Sequence, residues 1–241
     1  MARFSNRTKW FGTGVIVLLL ITAGTLLWTA PRSVVPRLAD RAPGCLYSVE
    51  TSQPRVALTI DDGPDTATTT ALLHVLRTHE ARATFFLISE HITSDSLVAA
   101  IVAQGHEIGN HLTRDQPSIR LSETAFDSSL AIAGRRLAAF APIRWARPGG
   151  GRYNQPMVST MQRQGYACAL GSVYPYDAEI PSTRFSSAFI LAHVGPGAII
   201  VLHDGGSRGH RTRATLERVL PELHRRGLQV VTLSELATPA P

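Results

Sequence analysis

The stretch "VALTIDDGPD", Val56 to Asp65, runs five mostly apolar residues into two adjacent carboxylates before it reaches the turn residues Gly63 and Pro64. A β-strand sends successive side chains to opposite faces, so neighbouring Asp residues in mid-strand would drive one of them into a core. At the last residues of a strand the chain turns and both carboxylates can meet at one mouth. The stretch therefore reads as a strand that ends in a site.

From Arg55 onward, apolar β-rich runs alternate with segments of helical period. The strands expected are Val56 to Ile60, Ala83 to Ile88, Glu107 to Gly109, Ile143 to Ala146, Tyr166 to Leu170, Ala198 to Leu202 and Leu228 to Thr232. Ser122 is placed to cap a helix with Phe126, Leu130, Ala133, Leu137 and Phe140 on one stripe, and Gly165 and Gly227 sit where helix C-caps belong. Strand-helix units without a hairpin signal predict an α/β fold on a parallel sheet, as a barrel or a doubly wound sheet. Polar residues recur past the carboxyl ends of these strands: Asp61 and Asp62, then His111 and Asp115, Arg147, Asp177 and His203. In a (β/α) barrel those ends form one rim, where active sites are built.

The 241 residues are 44% hydrophobic and 17% charged, enough for one large domain with an appendage. The net charge of +6 comes from dispersed arginines without interleaved aromatics. That pattern argues against nucleic acid as a partner, and no obligate protein partner is evident. The two cysteines, Cys45 and Cys168, give no disulfide framework and no CxxC spacing. They read as free thiols, with a single bridge as the alternative.

The appendage is N-terminal. After a tail at 1–10, residues 11–30 carry no charge over a length that matches a hydrocarbon core of roughly 30 Å. Trp10 and Trp28 stand at interfacial positions. The segment is expected to be a transmembrane anchor, with a cleaved signal sequence as the alternative. Residues 31–53 read as a Pro/Arg-rich tether, 54–238 as the catalytic domain and 239–241 as a tail. The domain is expected outside the cytoplasm, held to the membrane, or secreted if the segment is cleaved.

These residues resemble the polysaccharide deacetylases of the NodB-homology type, carbohydrate esterase family four. Thr59 to Pro64 matches the first motif, T-[FI]-D-D-G-P; "GHEIGNH", Gly105 to His111, matches the approach to the second; "GAIIVLHDG", Gly197 to Gly205, matches the last. The resemblance implies a distorted (β/α)7-type barrel and metal-dependent removal of N-acetyl groups from an envelope or extracellular glycan, peptidoglycan-like or chitin-like. It makes Asp61 the base, Asp62 and His111 metal ligands, Arg147 the residue that orients Asp61, Asp177 a steering group and His203 the acid. The chain departs from the family pattern at Asp115, at Gly149 to Gly151, at Ala178 and at Val201, the last where leucine is usual before His203. Asp115 stands where a second metal histidine is usual, and four residues on a helical turn would keep it on the face of His111. The expected metal set is therefore Asp62, His111 and Asp115, with Zn first and Mn, Mg or Co as alternatives. Gly149 to Gly151 replace Pro-aromatic-Gly, removing an aromatic wall while leaving room for an oxyanion-binding amide; Trp145, Tyr153 and Tyr176 are the candidates to replace that wall. Ala178 follows Asp177 where tryptophan is favoured. These departures keep two other readings open: hydrolysis of a small amide or glycolipid, and a glycan-binding pseudoenzyme. "GGSRGHRTR", Gly205 to Arg213, reads as a mobile basic loop on the same rim, and Asp204 as a loop or orienting group.

Overall fold

The computed structural model describes residues 43–238, together with Thr22, Gly24 and Thr25 in helical conformation. Apart from those three residues, the anchor expected at 11–30 lies outside the described residues, as do most of the tether and the last three residues. No helix among the described residues is long and apolar enough to cross a membrane.

In chain order the elements are β1 (Cys45–Leu46), β2 (Arg55–Asp61), α1 (Thr69–Thr78), β3 (Thr84–Leu87), α2 (Asp95–Ala103), β4 (Glu107–Asn110), α3 (Glu123–Leu137), β5 (Trp145–Ala146), α4 (Gln155–Arg163), β6 (Ala167–Ala169), α5 (Thr183–His193), β7 (Ile199–His203), α6 (Gly206–Arg225), β8 (Gln229–Val231) and α7 (Leu233–Ala237). The sheet runs β1-β6-β5-β4-β3-β2-β7, with β8 also paired to β2, and every strand pairing is parallel. Isolated bridges from Ser48 to Ala198 and from Val173 to Ile200 bring the far side of the sheet back to β7. The result is a parallel sheet curled into a partial barrel, with helices packed outside it. Ser122 caps α3 by accepting from the Ala125 N–H, and Gly165 and Gly227 follow α4 and α6 with φ of 83° and 73°.

The two faces of β2 carry different burdens. Val56, Leu58 and Ile60 join the apolar cluster under α1 and α6, with Leu72, Leu76, Leu216 and Leu220. The alternate residues face inward: Ala57 packs with Phe86, Trp145, Ile199, Leu233 and Leu236, so α7 helps to plug one end. Above that plug comes Thr59, and above it Asp61. The period of two converts an apolar floor into a polar mouth along one strand.

Two expectations change. Cys45 and Cys168 form a disulfide, in register across the β1–β6 pair. The strand that holds Cys45 lies within the segment read as tether, so the sheet begins before Pro54. Gly205 to Arg213 is not a loop; from Gly206 it is the first part of α6. Asp65 accepts from the Gly206 N–H, and the Thr212 hydroxyl donates to the His203 carbonyl, which ties that helix start to the neighbouring loops. A Cβ at Gly209 would stand 2.5 Å from the Thr68 hydroxyl, so the glycine permits this close seating.

Candidate active site

Register assembles the site. Asp61 at the end of β2 pairs with His203 at the end of β7, while Asn110 pairs with Ala146, so His111 and Arg147 follow at one level. Asp61 is the last residue of its strand, and Asp62 takes a left-handed conformation, φ 71°. That turn keeps Asp62 at the mouth instead of sending it to the opposite face. Leu112, after His111, and Tyr176, before Asp177, are left-handed as well, with φ of 66° and 55°. Each such non-glycine residue costs about 1–3 kcal/mol, and here they adjoin groups that converge.

Arg147 is buried beneath Asp61. Its guanidinium donates to Asp61 Oδ1 at 2.6 Å, to the Thr59 hydroxyl at 2.8 Å, and to the carbonyls of Ala169 and Leu170 at 2.9 and 2.5 Å. The Phe86 ring lies 4.1 Å from its central carbon. Burial draws the guanidinium pKa down, and Asp61 opposes that shift. Because Arg147 holds Oδ1, the outward oxygen of Asp61 is Oδ2.

His203 approaches from β7 with Nδ1 3.0 Å from Asp177 Oδ1, and its backbone N–H donates to Asp177 Oδ2. Burial alone would lower the imidazole pKa; the Asp177 hydrogen bond and charge overcome it and raise it to about 9. His203 is thus an imidazolium at neutral pH, with Nε2 as its remaining donor. Asp177 steers this imidazole, and among the described residues no hydrogen bond or ion pair joins it to Arg147. Asp204 meets the Thr68 and Thr69 hydroxyls and fastens the start of α1, so it is a structural group of the rim.

His111 turns Nδ1 to the Arg147 carbonyl at 2.7 Å. A carbonyl only accepts, so Nδ1 carries a proton and Nε2 faces Asp62 Oδ1 at 3.4 Å and Asp61 Oδ2 at 4.0 Å. Two ligands of a tetrahedral metal with bonds of about 2.0–2.1 Å stand about 3.3–3.4 Å apart, so Asp62 and His111 fit a divalent ion. Asp115 does not join them. Residues 111–117 form no helix, and the left-handed Leu112 breaks the spacing argument that put Asp115 on the face of His111. Its carboxylate instead meets Arg208 of α6 at 3.4 Å, while the same guanidinium meets Asp62 Oδ2 at 2.9 Å. Among the described residues, no group of three His, Cys, Asp or Glu side chains is arranged to hold a metal.

In the glycine turn the Gly149 N–H donates to the Ser118 hydroxyl and the Gly151 N–H to the Pro148 carbonyl, so of the three amides expected to leave room for an oxyanion these two are engaged within the protein. A Cβ at Gly149 would come 2.3 Å from the Gln116 carbonyl oxygen, which accounts for glycine there. Of the expected aromatic replacements, Trp145 is buried and donates to Ser234, Tyr153 bonds the Tyr47 hydroxyl, and Tyr176 packs on Tyr174 and Phe189. The aromatic at the site is one that sequence reasoning missed: Tyr174 lies edge-on to His203 at 5.8 Å, its hydroxyl held by Glu179. Arg208 was missed too, because a run of arginines gives no signal that singles out one.

The polysaccharide deacetylase family profile matches residues 48–169. A peptidoglycan-N-acetylglucosamine deacetylase of Bacillus cereus is 32% identical over 195 residues, spanning 79% of this chain and 91% of the relative. A chitooligosaccharide deacetylase of Bradyrhizobium sp. is 32% identical over 197 residues, spanning 75% and 90%. The crystal structure of the Bc1960 peptidoglycan N-acetylglucosamine deacetylase superposes with a TM-score of 0.76 at 26% identity, covering 83% of this chain and 94% of that one. The curled parallel sheet and its carboxyl-end rim define an α/β hydrolytic scaffold, and this chain belongs to the polysaccharide deacetylase family, the NodB-homology type. It is a hydrolase acting on carbon–nitrogen bonds other than peptide bonds.

Proposed function

We propose that this protein removes N-acetyl groups from an envelope or extracellular glycan of the peptidoglycan or chitooligosaccharide kind, with Asp61 as base and His203 as acid. The observation that carries the reading is the opposed pair of supported groups on one rim: Asp61 fixed by Arg147, and His203 fixed and charged by Asp177. A water against Asp61 Oδ2 loses its proton there as its oxygen adds to the acetyl carbon. His203 then passes the Nε2 proton to the sugar nitrogen, the C–N bond breaks, and acetate and the amine leave. The proton matters because an amine anion is a very poor leaving group. A divalent metal, which Asp62 and His111 would hold, supplies positive charge for the acyl oxygen and acidity for the water. Asp61, Arg147 and Thr59 form one unit in which the buried guanidinium of Arg147 keeps the carboxylate oriented.

The substrate reading rests on what the relatives are named for; the glycine turn, which offers no aromatic wall, favours a small amide or glycolipid as the second reading. The experiment is acetate release from a panel of N-acetylated glycans and small amides by the purified full chain, followed by mass spectrometry of the amine products. Release from an oligosaccharide supports the proposal; release from small amides alone supports the second reading. Residues 11–30 act as an anchor in this proposal, and the domain faces away from the cytoplasm. The charge-free apolar run and the Cys45–Cys168 bridge support that placement, since disulfides persist in oxidising compartments.

A further inference from the structure

The contact that departs most from expectation is the one Arg208 makes. Its guanidinium lies between two carboxylates, Asp62 Oδ2 at 2.9 Å and Asp115 Oδ2 at 3.4 Å. Asp62 is buried and offers its other oxygen to His111, whereas Asp115 is exposed. The backbone at Arg208 is held in place. It sits in the first turns of α6, whose start is tied to Asp65 and whose Gly209 is packed against Thr68. Three other groups bear charge near this point: Asp61, 4.0 Å from His111 Nε2; the imidazolium of His203, which acts electrostatically on Asp62; and Arg147, whose charge is spent on Asp61.

We propose that Arg208 is a built-in cation that competes with the metal for Asp62 and removes Asp115 from the ligand set. An arginine is always charged, and its planar fork matches carboxylate oxygens. While it bridges the two carboxylates it neutralises the negative charge that draws in a metal ion, and it repels that ion directly. Asp115 then serves to hold Arg208 against Asp62. The protein binds divalent metal more weakly than its carboxylate count predicts, and the resident guanidinium, not a third ligand, sets the affinity. The inference rests on Asp62 and His111 forming the metal site, and it does not require that the substrate be a glycan.

Calorimetric titration of the metal-stripped full chain with Zn²⁺ and Mn²⁺ tests it without reference to turnover. Arg208→Gln should tighten binding about tenfold or more, because it removes the competing charge and keeps a polar side chain. Arg208→Lys keeps a cation and should stay closer to the unaltered chain than Arg208→Gln does. Asp115→Ala should leave the affinity within about threefold, or tighten it by loosening Arg208, where loss of a ligand would cost more than the roughly 10–100-fold seen when only an outer-shell partner is removed. Unchanged or weaker binding in Arg208→Gln overturns the proposal. So does severe loss in Asp115→Ala, which would make Asp115 a ligand. A chain in which Asp62→Asn and His111→Ala leave metal binding untouched also overturns it, and separates failure of the metal site from failure of the substrate reading.

Discussion

At the residue scale, the acid depends on one carboxylate. Asp177 raises the His203 pKa from 6.5 to about 9, so the group is protonated through the neutral range. Its contribution to stability is fully present below about pH 6.5 and is lost as pH rises through about 9. Asp177→Asn removes the charge and moves the alkaline limb of the rate profile to lower pH by about one unit or more. It also flattens the pH dependence of unfolding free energy over the same window; a pH series of denaturant melts checks both statements. Arg147 is the second such dependence. Arg147→Ala leaves Asp61 buried without its partner and should cost about 3–5 kcal/mol by chemical denaturation, in addition to the lost rate. Arg147→Lys recovers little, since a point charge cannot bond Asp61, Thr59 and two carbonyls together. Asp61, His111, Arg147 and His203 could be placed on one rim from the sequence, because each ends or directly follows a strand and carries a group with a chemical use, whereas Asp177 lies well past the end of β6. Asp115 was misplaced for a local reason: its spacing from His111 implies a shared face only on a helix, and the left-handed Leu112 prevents one.

At the scale of elements, the strands were readable where they are long apolar runs and obscure where pairing does the work. β2, β3 and β7 announce themselves by burial on both faces, as parallel strands do. β1 has two residues in a Pro- and Arg-rich stretch, and only its pairing with β6 and the disulfide define it. The start of α6 carries Gly205, Gly206 and Gly209 and several arginines, a composition that reads as a loop. Its helical conformation comes from tertiary ties to Asp65 and His203. The disulfide joins residues 123 apart in sequence, so closing it restricts the unfolded chain over most of the domain. Cys45→Ser should lower stability by about 2–4 kcal/mol, and a reductant should lower the melting point of the unaltered chain but not of the variant. Identical melting with and without the bridge would show that β1 is peripheral to the fold.

At the scale of the whole molecule, the chain couples a hydrolytic rim to an N-terminal segment whose apolar length suits a bilayer. If residues 11–30 are an anchor with the domain outside, protease added to intact spheroplasts releases a fragment that begins before β1. A mature protein that starts near Pro31 would show cleavage instead. The central claim is narrower: Asp61 and His203 divide base and acid work on an N-acetyl group. The most direct measurement is acetate release from an N-acetylated oligosaccharide by the unaltered chain, Asp61→Asn and His203→Ala, with metal content measured on the same samples. The account predicts acetate from the unaltered chain, a rate lower by about 10²–10⁴ in each variant, and metal content unchanged. Either variant releasing acetate near the unaltered rate with its metal retained would contradict it.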